Sequence, residues 1–152
     1  MGPALKSSLA KARRLKAHEW LDIAVAADEL AIARFKLGRT RPRELVPNGS
    51  GDEVAGDVRP ATIEHLDRVR LAIARASRFV PWRADCLVQA MAARRWLHRH
   101  GIPTILSIGV PAATRPEFEA HAWLSHGGHI VTGGDVTRFV ALNAAADVEA
   151  AD

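Results

Sequence analysis

The stretch Gly101-Ile102-Pro103-Thr104-Ile105-Leu106-Ser107-Ile108-Gly109-Val110 marks a change of period. Before it, apolar residues recur at steps of three and four. From Ile105 onward Leu106, Ile108 and Val110 alternate with Ile105, Ser107 and Gly109, which predicts a strand. Gly101 with Pro103 closes the preceding helix as a C-cap pair. That helix starts near Cys86 and carries Leu87, Ala90, Met91, Arg94 and Leu97 on one side. Upstream, a helix is predicted from Thr62, as its N-cap, to about Arg78, with Ile63, Leu66, Val69, Ile73 and Ala76 as its stripe. Residues 4–37 read as a further helix on the spacing of Trp20, Ile23, Ala27, Leu30 and Ala31. Between these two, residues 38–60 are rich in Gly and Pro and read as a flexible linker. Downstream, Ala120 to Ser125 is a second strand, Gly127-Gly128 a hairpin turn, and His129 to Thr132 its return. Gly133-Gly134 interrupts, and Val136 to Leu142 is a last strand. Helices followed by an antiparallel meander make an α+β class.

The length of 152 residues fits a single domain. Residues 1–80 form its helical N-terminal part, 81–143 its core, and 144–152 an Ala-rich, acidic, frayed tail. Apolar residues are 48% and charged residues 25%, which excludes wholesale disorder. No apolar run reaches the roughly 18 residues that span a bilayer. No signal-peptide pattern and no myristoylation pattern opens the chain, so a cytoplasmic location is expected. One cysteine permits neither an internal disulfide nor a Cys-based zinc cluster. The net charge is +4, unevenly placed: Lys6, Lys11, Arg13, Arg14 and Lys16 crowd one end, and Arg94, Arg95, His98, Arg99 and His100 a second stretch. Solvated helix faces explain such clusters, and so does recognition of an acidic partner. No aromatic residues interleave them to stack bases, which argues against nucleic acid.

Three residue types bear chemistry. Cys86 sits where the loop Pro81-Trp82-Arg83-Ala84-Asp85 enters a helix. Unpaired amides and the dipole of a helix N-terminus favour a thiolate and can hold an oxyanion. The alternative is a small buried hydrophobe at a helix start. Asp85 helps as an N-cap but opposes the thiolate unless its carboxylate turns away. Among seven histidines, His98 and His100 read as solvated or C-capping, and His18 and His65 lack polar company. His121 is a lone imidazole in the apolar strand Ala120-His121-Ala122-Trp123-Leu124, placed either as a structural residue or as a base for a thiol. Asp135 could orient that imidazole. A regular two-residue turn at Gly127-Gly128 puts Asp135 on the wrong face, whereas a one-residue bulge, for which Gly133-Gly134 is suited, puts it opposite His121. A surface turn aspartate is the alternative. His121, His126, His129 and Asp135 could also ligate zinc, although their spacing matches no strong pattern and His126 and His129 read as exposed.

The run Phe79 to Ala90, the pair of segments Gly101-Ile102-Pro103 and Leu106 to Val110, the strand Ala120 to Leu124, and Gly134-Asp135 together resemble the transglutaminase-like cysteine peptidases that mature lasso peptides, which are ribosomally made, knotted bacterial peptides. The resemblance covers about residues 20–142. It implies a transglutaminase/papain-like core and a leader peptidase that hydrolyses the leader–core bond of the precursor peptide. It implies a catalytic triad of Cys86, His121 and Asp135, with Trp82 lining or completing the oxyanion site, and it implies no cofactor and no metal. The chain looks like the split form, which works with a separate leader-recognition protein of winged-helix type and beside an ATP-dependent lasso cyclase, with neither nucleic acid nor membrane as partner. Another transglutaminase-like amidase or acyl transferase, or a non-catalytic peptide-binding subunit, remains as the alternative.

Overall fold

A computed structural model describes residues 15–39, 59–112 and 120–142. The start of the first predicted helix, most of the linker 38–60, and the tail lie outside the described residues. Three helices, α1 (Ala17–Leu37), α2 (Pro60–Ala76) and α3 (Cys86–Arg99), precede four strands: β1 (Ile105–Pro111), β2 (His121–His126), β3 (His129–Thr132) and β4 (Phe139–Ala141). The α+β class is as predicted.

Helix α2 buries the expected stripe apart from Ile63, whereas α1 and part of α3 turn other faces inward. In α1 the buried residues are Asp22, Ala26, Glu29, Leu30 and Ala33, whereas Trp20 is half exposed. The face is turned because two carboxylates on it find cations. Arg68 of α2 clasps Asp22 through Nε and Nη2, both at 2.7 Å. Glu29, with no exposed surface, lies between Arg95 Nε at 2.9 Å and the Arg99 guanidinium, both on α3. These last contacts are charge pairings rather than well-aimed hydrogen bonds. Helix α2 begins two residues before the predicted cap, with Pro60 in its first turn, where a missing N–H costs nothing. In α3 the core side is Val88, Ala92, Ala93, Trp96 and Leu97, while Arg94 is exposed. Small alanines on that side let α3 approach α1 and the sheet closely. Leu30, Leu66, Val69, Ile73, Leu97, Leu106, Leu124 and Val131 complete one core between helices and sheet. Among the described residues no helix is long and apolar enough to cross a membrane.

The sheet is antiparallel with strand order β3-β2-β1-β4. The expected meander is therefore corrected: β4 pairs with β1, not with β3, giving the spatial order of a Greek key. Gly127 and Gly128 both take positive φ and close the β2–β3 hairpin tightly. Its register then slips by one residue, since Ser125 faces Ile130 but Leu124 faces Thr132. The bulge leaves Val131 as the extra residue, two positions before the Gly-Gly pair where it was anticipated, and Val131 is fully buried. The ladder ends at Thr132. The chain then leaves β3, passes the end of β2 where His121 stands, and reaches the far edge of β1 at Phe139. The last strand is accordingly shorter than predicted, because Val136 to Arg138 form a turn in which Phe139 N–H donates to the Val136 carbonyl at 3.0 Å.

The buried Glu29 cluster generates a test. Removing both cations (Arg95→Ala with Arg99→Ala) strands a carboxylate in the core and should destabilise by about 3–5 kcal/mol. Glu29→Met, which fills the same space without charge, should cost clearly less, and urea unfolding of the two proteins ranks them.

Candidate active site

The head of α3 is built by its own loop. Asp85 is the N-cap, and its Oδ1 accepts from Val88 N–H at 3.1 Å. The carboxylate is thus turned onto the helix backbone. Gln89 N–H donates to the Asp85 carbonyl at 3.0 Å, and the Gln89 amide Nε2 donates back to the Ala84 carbonyl at 2.8 Å. These bonds pin the entry loop on both sides of Cys86. Cys86 is half-buried at the first helical position. Its amide and that of Leu87 have no acceptor within the helix, as the geometry of a helix start requires. The indole Nε1 of Trp82 is shielded from solvent and has no hydrogen-bond partner among the described residues. A buried donor left unmatched is costly, and a ligand oxygen would relieve it.

His121 opens β2 opposite Gly109 of β1. Its Nε2 lies 2.7 Å from the Gly133 carbonyl oxygen. A carbonyl only accepts, so Nε2 carries the proton, and in the neutral ring Nδ1 is the free basic nitrogen. Phe139 stacks on the ring at 4.6 Å between centroids, and Trp123 follows at 6.3 Å. Both supports come from the crossover between β3 and β4 or lie beneath it. The crossover fits only because two positions lack a side chain. A Cβ on Gly133 would stand 2.4 Å from the Trp123 Cβ, and one on Gly109 would stand 2.4 Å from the Val140 carbonyl and 2.8 Å from the Trp123 ring. Gly133 also has φ +107°, which side-chain-bearing residues avoid. Gly133 and Gly134 line a cavity of about 420 Å³ together with Gln89, Thr132, Ile73 and Arg70. Gln89 of α3 and the loop that anchors His121 thus line one space, while Cys86 and His121 are not among its lining residues.

Asp135 is where the structure departs from the expected triad. It is exposed, and its Oδ1 accepts from the Thr137 N–H at 3.0 Å and the Thr137 hydroxyl at 2.7 Å. Those two bonds hold its carboxyl below the ordinary range. The bulge does shift the register as required, but the ladder ends before the shift can bring Asp135 opposite His121. The hydrogen bond to the imidazole comes from Gly133, and it engages Nε2 rather than Nδ1. Sequence reasoning missed the Gly133 carbonyl and the Phe139 ring; the signal was the Gly133-Gly134 pair, read only as a place for a bulge.

Four other histidines have structural engagements. His126 is buried, not exposed, with Nδ1 2.6 Å from the Pro103 carbonyl. His100 caps α3, with Nδ1 2.9 Å from the Trp96 carbonyl. His65 packs against the His100 ring at 4.9 Å, and burial, followed by repulsion from the neighbouring His100 and Arg68, lowers its pKa. His129 approaches Asp67 at 3.6 Å. Among the described residues no three of His, Cys, Asp or Glu form a group that could hold a metal ion.

The crossover predicts a ranking of variants. Gly133→Ala forces a strained φ and a collision with Trp123, and should destabilise by about 1–3 kcal/mol. Asp135→Ala removes only the exposed bonds to Thr137 and should cost less than Gly133→Ala in the same urea titration. The reverse order would contradict the assignment of the anchor.

No curated protein and no solved structure matches the chain significantly. The family model described as Transglutaminase-like superfamily matches residues 29–144, which takes in α2, α3, the whole sheet, and Trp82, Cys86, His121 and Asp135. A helix-borne cysteine followed by an antiparallel sheet with a histidine on its second strand accords with that superfamily, which includes cysteine peptidases and acyltransferases. The chain belongs to the transglutaminase-like superfamily.

Proposed function

We propose that this chain is a cysteine peptidase that hydrolyses the leader–core bond of a ribosomally made lasso precursor peptide. The observation that supports the reading is a histidine on β2 whose Nε2 is tied to a backbone carbonyl, which leaves Nδ1 as a base, in a chain whose one cysteine opens a capped helix. The residue set from Phe79 to Ala90, with Ala120 to Leu124, narrows the superfamily to lasso leader peptidases by resemblance.

In this reading the Cys86 thiolate attacks the scissile carbonyl carbon. The oxyanion is held by the Cys86 amide and the unpartnered Trp82 Nε1–H. The imidazolium formed when His121 takes the thiol proton at Nδ1 gives that proton to the leaving amine as the C–N bond breaks. Water then enters, His121 accepts one of its protons, and attack on the thioester releases the acid and restores the thiol. The Gly133 carbonyl fixes the ring and supports the imidazolium, the work that a triad assigns to a carboxylate. Asp135 acts one step away, by folding the turn through Thr137 that brings Phe139 onto the ring. The resemblance implies a separate winged-helix recognition protein that supplies the leader, a cytoplasmic setting, and a downstream ATP-dependent cyclase. Tethering the leader raises the effective concentration of the scissile bond at Cys86.

The test is incubation of the purified chain with a lasso precursor and its winged-helix recognition protein, followed by mass spectrometry. Cleavage at the leader–core junction is expected. It should be faster with the recognition protein than without. Cys86→Ala and His121→Ala should each lower the rate by at least about a thousandfold. Undiminished cleavage by Cys86→Ala would remove the nucleophile, and no cleavage by the wild-type chain with its partner would remove the substrate.

A further inference from the structure

Two imidazoles meet at the end of α3 opposite to Cys86, in a contact that has no part in the chemistry above. His65 lies on the side of α2 that also carries Val69 and Ala72, both buried. Its ring packs on that of His100, the residue that caps α3, with centroids 4.9 Å apart and planes inclined at 48°. His100 is held in place. Its Nδ1 lies 2.9 Å from the Trp96 carbonyl oxygen, which only accepts, so Nδ1 carries a proton and a second proton must enter at Nε2. His65 Nε2 is shielded from solvent and has no hydrogen-bond partner. An uncharged ring can keep its proton on Nδ1 and leave only a lone pair there. A charged ring bears hydrogen on both nitrogens, and the one on Nε2 would be a buried donor without an acceptor.

The charges around His65 also oppose a proton. Arg68 follows one turn along the same face and is fixed there by Asp22 of α1, through two bonds of 2.7 Å. Asp22 attracts a proton on His65, but its charge is already matched by that guanidinium. Helix α3 contributes His100, while its Arg95 and Arg99 are taken up by Glu29. Strand β3, which also packs on α2, sets His129 beside Asp67, two positions from His65 and so on another side of the helix. His18, Glu19 and Glu64 line the cleft between α1 and α2, and His65 does not. Burial, then His100 and Arg68, hold the His65 pKa below the ordinary 6.5 against the pull of Asp22.

We propose that His65 and His100 form an acid-sensitive joint between α2 and α3, closed while both rings are uncharged and forced open as they take up protons. The direction follows from linkage. The unfolded chain protonates His65 near its ordinary pH of about 6.5, whereas the folded chain resists. The stability that the joint supplies is therefore whole above about pH 6.5 and is lost as the pH falls below it. The loss is up to about tenfold in the folding equilibrium per pH unit, until the folded ring is protonated too. Helix α2 packs against α3 and β3, and α3 carries Cys86 at its other end, so opening weakens the layer that supports the site. The inference does not depend on the peptidase reading.

The test uses the full chain in EDTA, so that no metal ion bridges the rings. Ring protons of the histidines are followed by NMR between about pH 8 and 4.5, with His65 identified by its cross-relaxation with the His100 ring. His65 should titrate below about pH 6.5, and in His100→Gln its titration should move to higher pH. Urea unfolding is then measured at about pH 7.5 and 5. The folding equilibrium of the wild-type chain should fall between these values at least about threefold more than that of His65→Gln. His100→Gln should recover part of that difference. A His65 that titrates at or above pH 6.5, a titration unmoved in His100→Gln, or equal falls in the wild type and His65→Gln would each overturn the proposal. The NMR titration requires no substitution at His65, so it decides the matter even where His65→Gln does not fold.

Discussion

The contact on which the site depends is the one between Gly133 and β2. At this point the chain abandons the β3 ladder and presses its backbone against Trp123, so closely that even a methyl group would not fit. One consequence is topological, since the crossover delivers β4 to the free edge of β1. The other is chemical. The Gly133 carbonyl, turned by a positive φ, lies within hydrogen-bonding distance of His121 Nε2, and six residues later Phe139 covers the same ring. The imidazole is held by backbone and by packing, neither of which changes charge with pH. A carboxylate partner would add electrostatic support to an imidazolium; a carbonyl adds a dipole and a rigid orientation.

Helix α3 joins the remaining parts. Its first turn carries Cys86 and is fastened by Asp85 and Gln89. Its middle supplies the alanines that allow close packing, and its last turns carry the cations that neutralise Glu29 of α1. A buried ion cluster is a poor source of stability by itself, because desolvation offsets much of the attraction. Its effect here is to fix which face of α1 meets α3. Cys86 is thereby carried on a rigid element rather than on a loop.

Much of this was legible in the residues. The change of period at Gly101, the helix beginning at Cys86, and the hairpin at Gly127-Gly128 each follow from local rules, and local rules suffice where a turn or a cap decides the outcome. The bulge was also foreseeable, because the face of Asp135 depended on it. What escaped was nonlocal. The burial of Asp22 and Glu29 depends on arginine partners distant in the chain, which local periodicity does not reveal. The pairing of β4 with β1 leaves no trace in hydropathy, because either neighbour would accept Phe139-Val140-Ala141. The role of Gly133 depends on Trp123 ten residues earlier, and a backbone carbonyl has no letter in a sequence. Reasoning about triads searches for a carboxylate, and it found Asp135, the first carboxylate after His121 in the chain, where the His121 ring bonds to a peptide group.

The central claim is that the Gly133 carbonyl, rather than Asp135, orients His121 with Nδ1 left basic. Nitrogen-15 NMR of histidine-labelled Cys86→Ala protein, held at about pH 8 where an ordinary imidazole is neutral, addresses it directly. The account predicts the Nε2–H tautomer for His121, with a coupling through the hydrogen bond to the Gly133 carbonyl carbon that Asp135→Asn leaves in place. An Nδ1–H tautomer, or a His121 signal that shifts to a different tautomer in Asp135→Asn, would contradict it.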